Sequence, residues 1–224
     1  MTDIVPLLVG WALGILSALI AGVIQKKRQL ADINSAILNE LDELRYRLAW
    51  TCWKIAARAQ KVDRRFWEWL RQIASSYSGA LHDKELDLRL SKLSSYSDAD
   101  LQASLAKIQP QGRALGLKRF SIPATTANLQ NVGGLPEEYQ RLLFHIIRLI
   151  EMANQDIDEA DYYFKLTFDT SIESVNREIA KDNMESCYEF INGFALSIIE
   201  LIGRLDKYRG RKFRKSSLST LLAL

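Results

Sequence analysis

The stretch "IVPLLVGWALGILSALIAGVIQKKRQL", Ile4 to Leu30, decides the architecture. Its first 21 residues, Ile4 to Ile24, carry no charge, and Lys26, Lys27 and Arg28 follow at once. At 1.5 Å per residue such a run spans about 30 Å, the thickness of a bilayer's hydrocarbon core. The sequence therefore predicts a transmembrane helix over 4–24. Asp3 precedes the run and three cations trail it. Cationic flanks stay in the cytoplasm, so residues 1–3 are expected outside and the bulk of the chain inside, in a single-pass arrangement. A cleaved secretory leader would carry its positive charge ahead of the apolar run and end in small residues at a cut site, which "SALIAG" supplies poorly. A buried core helix would not stay uncharged for so long. Pro6 falls in the first turn, where its missing N–H costs little.

Within the run, Gly10, Gly14, Ala18 and Gly22 recur every fourth residue. In lipid no hydrophobic effect drives helices together, and small side chains let backbones approach closely. Membrane helices are rich in small residues in any case. Three of the four rungs are glycine, which a helix disfavours, and this favours a helix–helix interface with a second copy or a partner helix.

Beyond Leu30 the pattern turns amphipathic. Leu30, Ile33, Ile37, Leu41, Leu44, Leu48, Cys52, Ile55, Ala59 and Val62 follow at steps of three or four, a helical stripe. The stripe repeats every eleven residues, which gives a straight or slightly right-handed rod. No proline or glycine interrupts 23–62, so the anchor should continue into this rod, reaching about 55 Å below the membrane. Traced backwards, the stripe passes Gly22 but drifts off Gly10, Gly14 and Ala18. The two faces should therefore meet different neighbours.

Two further long helices are expected. One opens at "GLPEEYQRLL", with Pro136 at the first helical position and Glu137 and Glu138 at the positive end of the dipole. Its heptad stripe is Leu143, Ile146, Ile150, Ala153, Ile157, Ala160 and Phe164. The next starts near Ser171 and carries Met184, Cys187, Ile191, Phe194, Ile198, Leu201 and Leu205. The short "FDTS" link implies an antiparallel hairpin, with the first rod as third wall of a bundle. "DRRFWEWLRQIA" and "SDADLQASLAKI" read as shorter helices, the second capped by Ser97 or Asp98. "KELDLRLSKL" is open between helix and strand, and 109–135 reads as an irregular loop. The fold class expected is all-α: one N-terminal transmembrane helix continuing into a cytoplasmic antiparallel helical bundle over 25–208, then a tail over 209–224.

The net charge of +3 is unevenly spread. Lys207, Arg209, Arg211, Lys212, Arg214 and Lys215 form a run without acids, interleaved with Tyr208 and Phe213. The rest is close to neutral, which argues against nucleic acid as a partner and for one local anionic contact. Membrane lipid fits best, each cation near an anionic surface contributing about 1 kcal/mol. Phosphate and base contacts to nucleic acid, or a merely solubilising tail, are the alternatives. In the loop, Arg113, Lys118 and Arg119 precede Thr125 and Thr126, and Gly133 and Gly134 lead into a helix N-terminus. That composition could hold an anion, but no P-loop or dinucleotide pattern accompanies it. The plainer reading tucks Leu117, Phe120 and Ile122 into the bundle.

Cys52 and Cys187 sit in helical patterns, compatible with a reducing compartment and no disulfide framework. With His82 and His145 as the only histidines, no metal cluster forms, and no cofactor is expected. Asp156, Asp158, Glu159 and Asp161 lie off the stripe and read as a solvated face rather than catalytic carboxylates. Trp50, Trp53, Phe66, Trp67 and Trp69 bracket a helix corner: core, or a partner hot spot if Trp67 and Trp69 are exposed. No catalytic constellation appears, so the chain reads as no enzyme. The function expected is an oligomerising interaction or scaffold module at the cytoplasmic membrane face. The rival is a signal-triggered, membrane-perturbing effector whose bundle, through the 109–135 loop, is the sensor.

Overall fold

Helix α1 runs unbroken from Ile4 to Arg58 in the computed structural model, about 80 Å at the α-helical rise. The structure describes residues 4–81, 88, 91–92, 95–108 and 115–209. Among the described residues every regular element is helical and no strand occurs. Residues 1–3, most of "KELDLRLSKL", Arg113 and the tail from 210 lie outside them.

The rod expected to reach Val62 ends four residues earlier. Gln60 turns left-handed, with φ of 57°. Its N–H donates to Ala57 O at 3.2 Å, while Lys61 N–H reaches back to Ala56 O at 2.9 Å. These paired bonds satisfy carbonyls that the helix end would otherwise orphan. Ala59 is consequently exposed, and Val62 is buried only after the chain has folded back.

Helix α2, Arg64–Ser76, starts where the Asp63 carboxylate accepts from Phe66 N–H at 2.7 Å. It buries Trp67, Leu70, Ile73 and Ala74 in a cluster with Tyr46, Ala49 and Ala57 of α1. Helix α3, Asp98–Ile108, is capped by Ser97, whose Oγ accepts from Asp100 N–H at 3.2 Å. Arg64 joins it to α2 through Asp98 Oδ1 at 2.7 Å and Tyr96 O at 2.6 Å.

The segment expected to be an irregular loop instead holds α4, Pro123–Ala127, and a 3-10 helix, Leu129–Gly134. Helix α5, Glu137–Leu166, follows, with Pro136 just outside its first turn rather than in it. Helix α6 spans Ser174–Leu205 and ends in a 3-10 turn, Asp206–Tyr208. It starts three residues later than the pattern suggests. The Asp169 carboxylate accepts from both N–H and Oγ of Ser171, at 2.8 and 2.6 Å, and holds the link in a turn.

Most of the expected stripes pack into one core. Ile33, Ile37, Leu41, Leu44, Leu48, Cys52 and Ile55 of α1 share this core with Leu143, Ile146, Ile150, Ala153, Ile157 and Ala160 of α5, the two helices being joined chiefly through α6. Met184, Cys187, Ile191, Ile198, Leu201 and Leu205 of α6 complete it. Phe164 and Phe194 are only half-buried, and Ala195 takes the inner position beside Phe194. Direction follows from end-to-end pairs. Glu138 at the start of α5 meets Lys207 and Tyr208 beyond the end of α6. Arg58 at the end of α1 grips Glu185 near the start of α6, at 2.9 and 2.6 Å. Helix α6 thus runs against both α5 and α1.

Candidate functional site

Among the described residues, the side chains of the apolar half of α1 are uncovered. Leu8, Val9, Trp11, Leu13, Ile15, Leu16, Leu19, Ile20, Val23 and Ile24 are all exposed. This helix is long and apolar enough to cross a membrane. A Cβ added at Gly10, Gly14 or Gly22 would find no atom within 4 Å, and Ala18 is exposed as well. The small-residue face is therefore open. Ser17 Oγ donates to Leu13 O at 2.7 Å, so the hydroxyl in this stretch satisfies itself within the helix. That is what an apolar solvent demands of a polar group. Lys26, Lys27 and Arg28 are exposed and form no ion pair among the described residues.

The segment 115–135 is tied down rather than open. Leu115, Phe120, Ile122, Val132 and Leu135 are buried, with Leu117 half-buried beside them. The buried Asn154 amide clasps Phe120 twice: Oδ1 accepts its N–H at 2.7 Å and Nδ2 donates to its carbonyl at 2.8 Å. The Glu40 carboxylate of α1 accepts from Ala124 N–H at 2.8 Å and Thr125 N–H at 2.7 Å. The anion at the start of α4 is thus one of the chain's own side chains. Lys118 is exposed. Arg119 pairs with Asp158 at 3.1 Å, both well exposed. Arg113 lies outside the described residues, so Lys118 and Arg119 are the two of this trio that can be placed, and the cleft beside them, lined by Phe120, Ile122, Ile150 and Asn154, includes neither.

Of the basic tail, Lys207, Tyr208 and Arg209 belong to the packed body. Lys207 Nζ meets Glu138 at 2.8 Å, and Arg209 meets Asp42 at 2.6 Å and Asp206 at 3.3 Å. Tyr208, expected among the tail's surface aromatics, is buried, and its hydroxyl donates to Glu138 at 3.0 Å. These two donors, Lys207 first, hold the Glu138 carboxyl below its ordinary range. Arg211, Lys212, Arg214 and Lys215 lie outside the described residues.

The acidic run of α5 is dispersed. Asp158 is on Arg119, Glu159 accepts from Gln155, and Asp161 is exposed. Partial burial, and then the nearby Glu159, raise the Asp156 carboxyl. Burial pushes the Cys52 thiol up to about 12 and the Cys187 thiol up to about 11, so neither is a nucleophilic thiolate at neutral pH. Among the described residues no group of three His, Cys, Asp or Glu could hold a metal ion. Trp67 is buried, while Trp50, Trp53, Phe66 and Trp69 are half-buried, so the corner is chiefly core.

Comparison with protein-family models, with curated proteins and with solved structures gave no match.

Proposed function

We propose that this chain is a single-pass membrane protein whose cytoplasmic helical bundle acts as an interaction scaffold, assembling through its anchor and its body. The observation that carries the reading is the uncovered half of α1. An apolar helix with an open face at Gly10, Gly14, Ala18 and Gly22 continues without a break into a packed body. Such a surface is stable in lipid or against another helix, and costly in water.

The mechanism is avidity. An anchor confines copies to the bilayer plane and raises their effective concentration, so weak contacts along the glycine face suffice for assembly. A rigid α1 then fixes the distance and orientation of each body, presenting it to a second copy or to a partner protein. Residues 1–3 lie outside, 4–24 cross, and the cations Lys26, Lys27 and Arg28 hold that orientation. Anionic lipid is the second partner, met by Arg211, Lys212, Arg214 and Lys215. Lys207 and Arg209 contribute less to that contact, since both already pair with carboxylates. No chemistry is assigned to the body, and neither cofactor nor nucleic acid is required.

The test replaces Gly14 and Ala18 together with Ile and measures crosslinked oligomers in the native membrane. Oligomer yield should fall severalfold while membrane content of the protein stays constant. An unchanged yield would remove the anchor from the assembly mechanism.

A further inference from the structure

The junction between the apolar half of α1 and the packed body is short and stiff, and its length is informative. The last exposed large apolar residue of α1 is Ile24, and Leu30 is the first residue that is partly covered. A Cβ placed on Gly134 would come 2.8 Å from Leu30 Cδ1, so the 3-10 helix Leu129–Gly134 lies directly against this residue. Four residues further, Asn34 Nδ2 donates to Tyr208 O at 3.5 Å. The end of the body nearest the apolar segment therefore consists of the 3-10 helix, the start of α5 and the end of α6.

Five residues of continuous helix separate Ile24 from Leu30, and the six steps rise about 9 Å. The headgroup layer on one side of a bilayer is roughly 5–7 Å thick, the difference between the full and the hydrocarbon thickness shared between two faces. A helix has no slack, unlike a glycine-rich linker. If Ile24 marks the hydrocarbon boundary, almost no water layer fits between the headgroups and the Leu129–Gly134 helix. Helical phase adds the chemistry. Lys26 lies four residues before Leu30 and Lys27 three, so both stand on the side of α1 that the body occupies, just above it. Gln130, Asn131 and Gly133 are the exposed residues of the same 3-10 helix whose Gly134 lies against Leu30.

We infer that this end of the body is a lipid contact surface: Lys26 and Lys27 from α1, with the amides of Gln130 and Asn131 from the 3-10 helix, bind the phosphates of phospholipid headgroups. The contact holds the body upright on the bilayer. It also starts the basic tail, after Arg209, at the membrane-facing end of the molecule rather than the far one. The inference rests on the proposed membrane crossing of 4–24.

The test uses the full chain in vesicles of mixed phosphatidylcholine and phosphatidylglycerol, with a fluorophore on one introduced cysteine at a time: Asn131→Cys, Ser171→Cys at the opposite end, and Leu16→Cys within the apolar run. Cys52 and Cys187 are buried and do not compete for the label. Nitroxide on the lipid headgroup should quench the label at 131 several-fold more than the label at 171. Inserting seven alanines between Lys27 and Arg28 adds two helical turns, preserves the phase and lifts the body by about 10 Å. Quenching at 131 should then drop to the level at 171. Equal quenching at 131 and 171 in the uninserted chain, or no change on insertion, overturns the inference. The underlying reading fails separately: a label at 16 that acyl-chain nitroxide does not quench refutes the crossing itself. A quenched label at 16 with an unquenched label at 131 refutes only the headgroup contact.

Discussion

The two halves of α1 share a helix and differ in their company. From Leu8 to Gln29 every described side chain is exposed, whereas from Ile33 to Ile55 one stripe is buried in the core, chiefly against α6, with α4 and the 3-10 helix beside it. The covered half alternates apolar stripes with Asp32, Glu40, Asp42, Glu43 and Arg45, so it can bury one side and solvate another. The uncovered half is apolar all round, and no single neighbouring helix could cover it. Periodicity thus separates a half built for a protein core from one apolar enough to cross a membrane, even where the backbone does not register the change.

The sharpest way to break the comparison is to truncate one side chain in each half. Leu41→Ala removes a wholly buried side chain and should cost about 2–5 kcal/mol in denaturant unfolding of the body. Leu16→Ala should leave that unfolding midpoint unchanged, since nothing in the body touches it. Equal losses would mean that the exposed half has a protein partner within the chain.

The long stripes were readable because each helix repeats its apolar residues over many turns, and burial at Ile37, Ile146 and Ile191 follows that repeat. Other features left weaker marks. α1 buries a second side through Tyr46, Ala49 and Ala57 against α2, and the only trace of it is the aromatic spacing of Tyr46, Trp50 and Trp53. The fold of 115–135 depends on Glu40 and Asn154, which lie far away in sequence and look like ordinary surface polar residues. No local pattern could reveal that one caps α4 and the other clasps Phe120. In sequence Tyr208 lies in a run of cations and looks like part of a basic tail, but in the fold it is buried with its ring 5.3 Å from that of Tyr139, a residue far away in sequence.

Those two distant tethers yield the next predictions. Asn154→Ala leaves both the N–H and the carbonyl of Phe120 unpaired in a buried site, at a cost of roughly 2–4 kcal/mol. Amide exchange across 115–135 should accelerate more than across α6. Glu40→Ala uncaps α4 and should cost about 1 kcal/mol, with faster exchange confined to Ala124 and its neighbours. If either variant loosened the whole body uniformly, the segment would open only together with the long helices rather than as a separate unit.

The smallest effect concerns Glu138. Its carboxyl is held below the ordinary range by Lys207 and Tyr208. The folded state therefore binds its proton less readily than the unfolded chain, and the stabilisation is present in full above the ordinary carboxyl range. It is lost as pH falls through the depressed value. Glu138→Gln should remove that small contribution at neutral pH and leave stability in acid nearly unchanged, so the acid limb flattens slightly, which a thermal melt series from acidic to neutral pH would measure.

The central claim is that the uncovered half of α1 is embedded in lipid, and alkaline carbonate extraction of the full chain from native membranes tests it most directly. The account predicts that the protein stays with the sedimented bilayer, with its N-terminal segment intact by mass. Release into the supernatant, or recovery of a chain lacking the first two dozen residues, would contradict it.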